Sequence, residues 1–178
     1  MSQLVALAVS IGLLGAVATW LYLSLGLLIW AGFIAWGCFF HSGGDNAALK
    51  STMIGNTFGA VVGFLTAILI LIVPLATSLS LPVWAGIAVG IGVFVLVAAA
   101  NVKALSNIPA GVYGFAAMFA HLLRAADSIQ TAETAPFGLN HPLIGVVLSM
   151  LLGALFGLAS AKLAAYLKAK EPAAAARA

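Results

Sequence analysis

The chain has 178 residues, of which 64% are hydrophobic and only 6% charged, with a formal net charge of +3 and a mean hydropathy of +1.21. So little charge cannot cover the surface of a soluble domain of this size, which excludes a soluble enzyme or binding module. The small positive charge lies in loops and a tail, so it makes no case for nucleic acid, and the continuous apolar runs do not alternate as barrel strands do. The class expected is an all-α, polytopic membrane protein whose first partner is the lipid bilayer.

Along the chain, Met1-Ser2-Gln3 lacks the basic stretch of a secretory signal, and the apolar run from Leu4 to Leu28 is long for one. The first span is therefore read as uncleaved. Hydropathy gives six spans near 4–23, 27–40, 47–73, 82–100, 105–123 and 142–161, each set against the ~20 residues that cross ~30 Å of hydrocarbon. The second is short, and the fifth contains Asn107, Pro109, Gly111 and Gly114. The third is overlong and starts near Asp45, a plausible N-cap after Gly43-Gly44.

Lys50, Lys103, Lys162, Lys168, Lys170 and Arg177 fall on one side of this six-span layout, with Arg124 alone on the other. The positive-inside bias then puts both termini of this multi-pass protein in the cytoplasm. Arg124 and Asp127 are spaced to pair in the long outer loop that also holds Glu133. Trp20, Tyr22 and Trp84 are expected at the outer aromatic belt, and Tyr166 at the inner one. A single transmembrane domain over 1–170 precedes a flexible tail at 171–178.

Gly55, Gly59 and Gly63 lie four apart on one stripe, and small residues return at Gly145, Ser149, Gly153 and Gly157. In lipid such stripes let helix backbones touch, because van der Waals contact replaces the hydrophobic drive. Gly55, Gly59 and Gly63 map onto Gly145, Ser149 and Gly153, with Ile54 and Ile144 preceding each stripe. The short spans match as well, 31–36 (AGFIAW) against 110–115 (AGVYGF), each leading to a phenylalanine and a histidine. An odd number of spans per copy turns the second upside down. The fold expected is thus two inverted three-helix repeats, about 4–73 and 82–168, with short or broken helices two and five.

Interrupted helices at matching positions of inverted repeats point to a permeation or binding site. Freed backbone groups are tolerated only where protein buries them or a wet cavity takes them. The candidate breaks are Trp30-Ala31-Gly32 and Asn107-Ile108-Pro109-Ala110-Gly111. A half-helix starting near Pro109 turns its positive end inward, toward polar or anionic oxygen; the plain alternative is a proline kink with no ligand. No Asp, Glu, Lys or Arg lies mid-span, where proton relays and ion-coupled carriers need them. A passive path for a small uncharged solute needs only diameter, aromatic slots and hydrogen-bonding groups.

Trp30, Phe33, Trp36, Phe58, Tyr113, Phe115 and Phe119 are candidates for the slot, with Asn56, Thr57, Thr66 and Asn107 as polar partners. Each aromatic taken alone reads first as lipid contact or helix packing, ahead of pore lining. His41 and His121 are expected at opposite mouths, where a group that titrates near neutrality gates the path or exchanges protons with a weak base; the plain alternative is an interfacial residue, as for His141. Three histidines on separate helix ends make no metal site, and Cys38, the one cysteine, reads as a packed small residue. No Ser–His–Asp grouping, phosphate loop or nucleotide motif is present, so neither a cofactor nor catalysis is expected.

The whole length, with 25–33 (LGLLIWAGF) and the glycine-rich third span, resembles a family of small six-span bacterial inner-membrane proteins of unknown function. More locally, 110–115 (AGVYGF) resembles the A-G-L-Y-G-[YF]-N-G signature of bacterial urea transporters, and 60–67 (AVVGFLTA) the helix after their first half-span. That resemblance implies a trimeric channel of inverted repeats for a urea-like solute. It departs at Ala116 and Ala117, where the signature has Asn and Gly, and the Asn-Pro-Ala motif of aquaporin-like channels is absent. The expected function is a passive, homo-oligomeric channel (a trimer or multiples of a dimer) for a small neutral solute such as an amide or ammonia. The alternatives are a secondary transporter of a small organic ion, or a scaffold that transports nothing.

Overall fold

The computed structural model of the chain describes residues 2–123, 138 and 141–169, and every element among them is helical. Helix α1 (Gln3–Leu25) starts at Ser2, whose hydroxyl accepts from the Val5 amide at 3.2 Å, and stops at Gly26, a left-handed residue with φ 67°. Helix α2 (Ile29–His41) follows after a tight turn, and then α3 (Asn46–Ile72), capped by the Asp45 carboxylate on the Ala48 amide at 2.7 Å. The one-turn α4 (Ala76–Leu79) and α5 (Leu81–Ala98) lead through two 3-10 turns, Ala99–Asn101 and Lys103–Leu105, into α6 (Ile108–Leu122). Helix α7 (Pro142–Ala169) closes the described chain.

Four helices, α1, α3, α5 with its following turn, and α7, are long and apolar enough to cross a bilayer. Helices α2 and α6 have 13 and 15 residues, a rise of roughly 20 Å each, well short of ~30 Å of hydrocarbon. Both are short, as expected, but neither is broken. Helix α2 runs unbroken from Ile29 through Trp30-Ala31-Gly32. The Asn107–Gly111 segment is the beginning of α6: Asn107 Oδ1 caps the Ala110 amide at 3.1 Å, and Pro109 sits in the first turn, where a missing N–H leaves nothing unpaired.

The glycine stripes do what lipid requires of them. A methyl group at Gly59 would overlap the Gly111 carbonyl, and one at Gly153 the Gly32 carbonyl. Gly55 faces Ala110, Gly63 faces Phe115 and Met118, and Gly157 faces Phe39. Gly145 is buried on the same face of α7. Helix α3 thus lies parallel to α6 and α2 parallel to α7, and these are the two most extensive helix pairs. Helix α1 packs on α7, α5 on α3, and α3 and α7 meet between them. Matched by what they touch, Gly59 pairs with Gly153 and Gly63 with Gly157, one helical turn on from the alignment expected from sequence.

A central apolar cluster that includes Ala31, Ala35, Ala60, Ala117, Met118, Val146 and Met150 joins the two pairs. It is flanked on one side by Ala18, Tyr22 and Trp36 and on the other by Val62, Leu96 and Phe115. Leu4, Leu13, Trp20 and Leu23 of α1 and Ile87 and Phe94 of α5 face outward, as lipid-contacting side chains do. Trp20 and Tyr166 are exposed, but Tyr22 and Trp84 are buried and do not form a belt. Their polar ends find carbonyls instead: Tyr22 donates to Ser149 O at 2.6 Å and Trp84 Nε1 to Ile70 O at 3.2 Å. Arg124, Asp127, Glu133 and the tail at 171–178 lie outside the described residues.

Candidate functional site

The short helices α2 and α6 run antiparallel, with the end of one beside the start of the other. At that end His41 Nδ1 lies 3.0 Å from the Tyr113 hydroxyl, their rings edge to face. One residue on, a polar knot ties three elements together. Asn107 Nδ2 donates to the hydroxyls of Ser42 (2.9 Å) and Ser51 (3.1 Å), and Thr52 donates to Ser42 at 3.4 Å. Cys38 sits beneath, its Sγ 3.8 Å from the Thr52 hydroxyl. A cavity of about 480 Å³ opens between the two helices, walled by Phe33, Gly37, His41, Tyr113 and Ala116.

Asn56 is the outstanding residue of the interior. It is 1% exposed, and neither its Nδ2 nor its Oδ1 has a hydrogen-bond partner. A buried, unpaired amide costs on the order of 1–3 kcal/mol per polar group. Several such groups around α2 and α7 are settled: Leu28 N donates to Ser149 Oγ at 2.9 Å, Ser149 Oγ to Gly145 O at 2.6 Å, and Trp36 Nε1 to Ser160 Oγ at 3.0 Å. Against Asn56 the α6 backbone is so close that a methyl at Gly114 would overlap the Asn56 carbonyl. Its position in α7, three residues before the matching glycine, is occupied by Met150, which is buried in the central cluster.

The expected path residues do not gather in one place. Phe33 and Tyr113 line the α2–α6 cavity, whereas Thr57 faces a separate groove beside α7 with Met53, Phe58 and Leu151. Trp36 is stacked between Phe33 and Phe156, and Phe115 on Phe119, on opposite sides of the centre. Thr66 bonds its own helix at Val62 O (2.8 Å), and Asn107 is consumed in the knot. Trp30 packs against the central cluster with its Nε1 buried and unpartnered. His121 lies in the last turn of α6, the end remote from Asn107, and His141 stands at the head of α7 with its ring 5.5 Å from Phe64. The His41–Tyr113 pair and the Ser42–Asn107–Ser51 knot were not foreseen. Only Ser42 and Ser51, flanking the Gly43-Gly44 turn, hinted that small polar groups collect there.

Among the described residues no group of three His, Cys, Asp or Glu side chains is placed to hold a metal ion. Residues 8–165 match the family described as Protein of unknown function (DUF1097), a span that takes in both short helices, both glycine stripes and Asn56. The chain belongs to that family. No curated protein and no solved structure matches it. Family membership puts the DUF1097 match squarely on the packed helices rather than on the tail, and it assigns no activity.

Proposed function

We propose that this DUF1097 protein is a passive membrane channel for a small polar, uncharged solute, a urea-like amide or ammonia. Asn56 carries the reading. It offers two donors and an acceptor with nothing to satisfy them, on a glycine-faced stretch of α3 at the heart of the bundle. A neutral solute bearing both a donor and an acceptor complements that side chain, and pore selectivity of this kind needs no charged group. The likeness in packing between α3–α6 and α2–α7 supports two inverted three-helix halves, in which sites form near the midplane where the halves meet. On this reading both termini are cytoplasmic, the protein assembles as a homo-oligomer in the inner membrane, and it has no enzymatic role.

Asn56 lines none of the five grooves described, so on this reading a solute passes when α6 moves off α3 at Gly114. A second reading, a scaffold that transports nothing, is favoured by the same tightness of backbone contact. Stopped-flow shrinkage of proteoliposomes separates them. The channel predicts permeability to urea, amides or ammonia above that of empty vesicles, whereas rates equal to empty vesicles for all of these and for glycerol leave the scaffold standing.

A further inference from the structure

A second groove lies at the end of the bundle that bears the polar knot. Its floor is one face of α3: Ala47, Lys50, Ser51 and Ile54 recur at the i, i+3, i+4, i+7 spacing that aligns side chains along a helix. Its other wall is Lys103 and Ala104 of the 3-10 turn before α6, and the cavity between them measures about 390 Å³. Two lysines from separate elements therefore line one cavity, and no carboxylate of the described residues lines it. Asp45, the only acidic side chain among the described residues, is turned to the Ala48 amide. Ser51 is already engaged, donating to Ala48 O at 3.2 Å and accepting from Asn107. The lysines are thus what the groove offers to a ligand.

Polarity changes along the groove as it does across a membrane boundary. Lys50 lies in the second turn of α3, near its start, and Ile54, about 6 Å further along the helix, leads into its apolar part. A free anion would use only the first half of this surface; an amphiphile would use both. We propose that the groove seats the phosphate headgroup of an anionic phospholipid between Lys50 and Lys103, with its acyl chain lying along Ile54. Basic pockets at the ends of transmembrane helices recognise such headgroups through point charge rather than shape, which suits two lysines without a fixed fork of donors.

The test counts lipid. The purified full chain is equilibrated in micelles doped with equal amounts of phosphatidylglycerol and phosphatidylcholine of identical acyl chains, and lipid retained per protein is read by native mass spectrometry. Two cations at a membrane surface should give about a 30-fold preference for the anionic lipid. The Lys50→Gln/Lys103→Gln variant should bring that preference close to parity, while Lys168→Gln, outside the groove, keeps it. Equal retention of the two lipids by the native chain overturns the proposal, as does a preference that survives the double substitution. Displacement of phosphatidylglycerol by millimolar inorganic phosphate alone also overturns it, by making the groove a site for free phosphate.

Discussion

Around the contact between α2 and α7 three buried polar side chains have partners, Tyr22 of α1 on Ser149 O, Ser149 on Gly145 O and Trp36 on Ser160, and Trp30 Nε1 alone is left without one. In the contact between α3 and α6 the backbones meet in the same way, glycine against glycine carbonyl, yet Asn56 is left without one. At the corresponding place in the first contact stands Met150. The packing plan is common to both; the unpaired amide belongs to one. Structure needs the first kind of polar group to hold helices in register, and it gains nothing from the second. On the channel reading, that unpaired amide is what the solute binds.

The common plan is broken most severely at the two glycines themselves. Leucine at Gly59 or at Gly153 has to displace a backbone carbonyl, so each should cost about 3 kcal/mol or more and abolish monodisperse protein on size exclusion. Leucine at Gly86, which has open space around it, should leave the yield unchanged. If only one of the two glycines responds, the contacts are not equivalent.

Smaller changes sharpen the difference in polarity. Asn56→Met removes an unpaired amide and should raise stability by ~1–3 kcal/mol, seen as a higher midpoint in thermal unfolding. Met150→Asn places the same problem in the other contact and should lower stability by at least as much. Tyr22→Phe deletes one satisfied bond to Ser149 O and should cost only about 1 kcal/mol. Least of all, Tyr113→Phe loses the partly exposed bond to His41; its effect on stability should stay within ~0.5 kcal/mol, while on the channel reading it alters flux.

Much of this architecture was legible before any coordinates. Continuous apolar runs located the long helices, the Asp45 cap fixed the start of α3, and the small-residue stripes named the faces that touch. Their register was not legible. A stripe that repeats every four residues aligns almost as well when slid by one turn, and only the partner across the contact (Gly111 for Gly59, Gly32 for Gly153) breaks the tie. Proline and glycine in 107–111 read as a break within a span because sequence does not reveal whether a helix is being interrupted or begun; the Asn107 cap decides it. Tyr22 and Trp84 defeated the belt expectation for a similar reason, since a carbonyl within reach competes with the interface for their polar ends. Asn56 was recognisable as a polar residue in an apolar helix, but its lack of a partner was not, because pairing depends on the helix opposite.

The most direct measurement is the solute permeability of vesicles containing Asn56→Met, the substitution that gives α3 the residue its counterpart in α7 already has. The prediction is a protein that folds at least as stably as the native chain and has lost passage of amide or ammonia. Undiminished flux through that variant would contradict the assignment, and the unpaired side chain would then have no part in conduction.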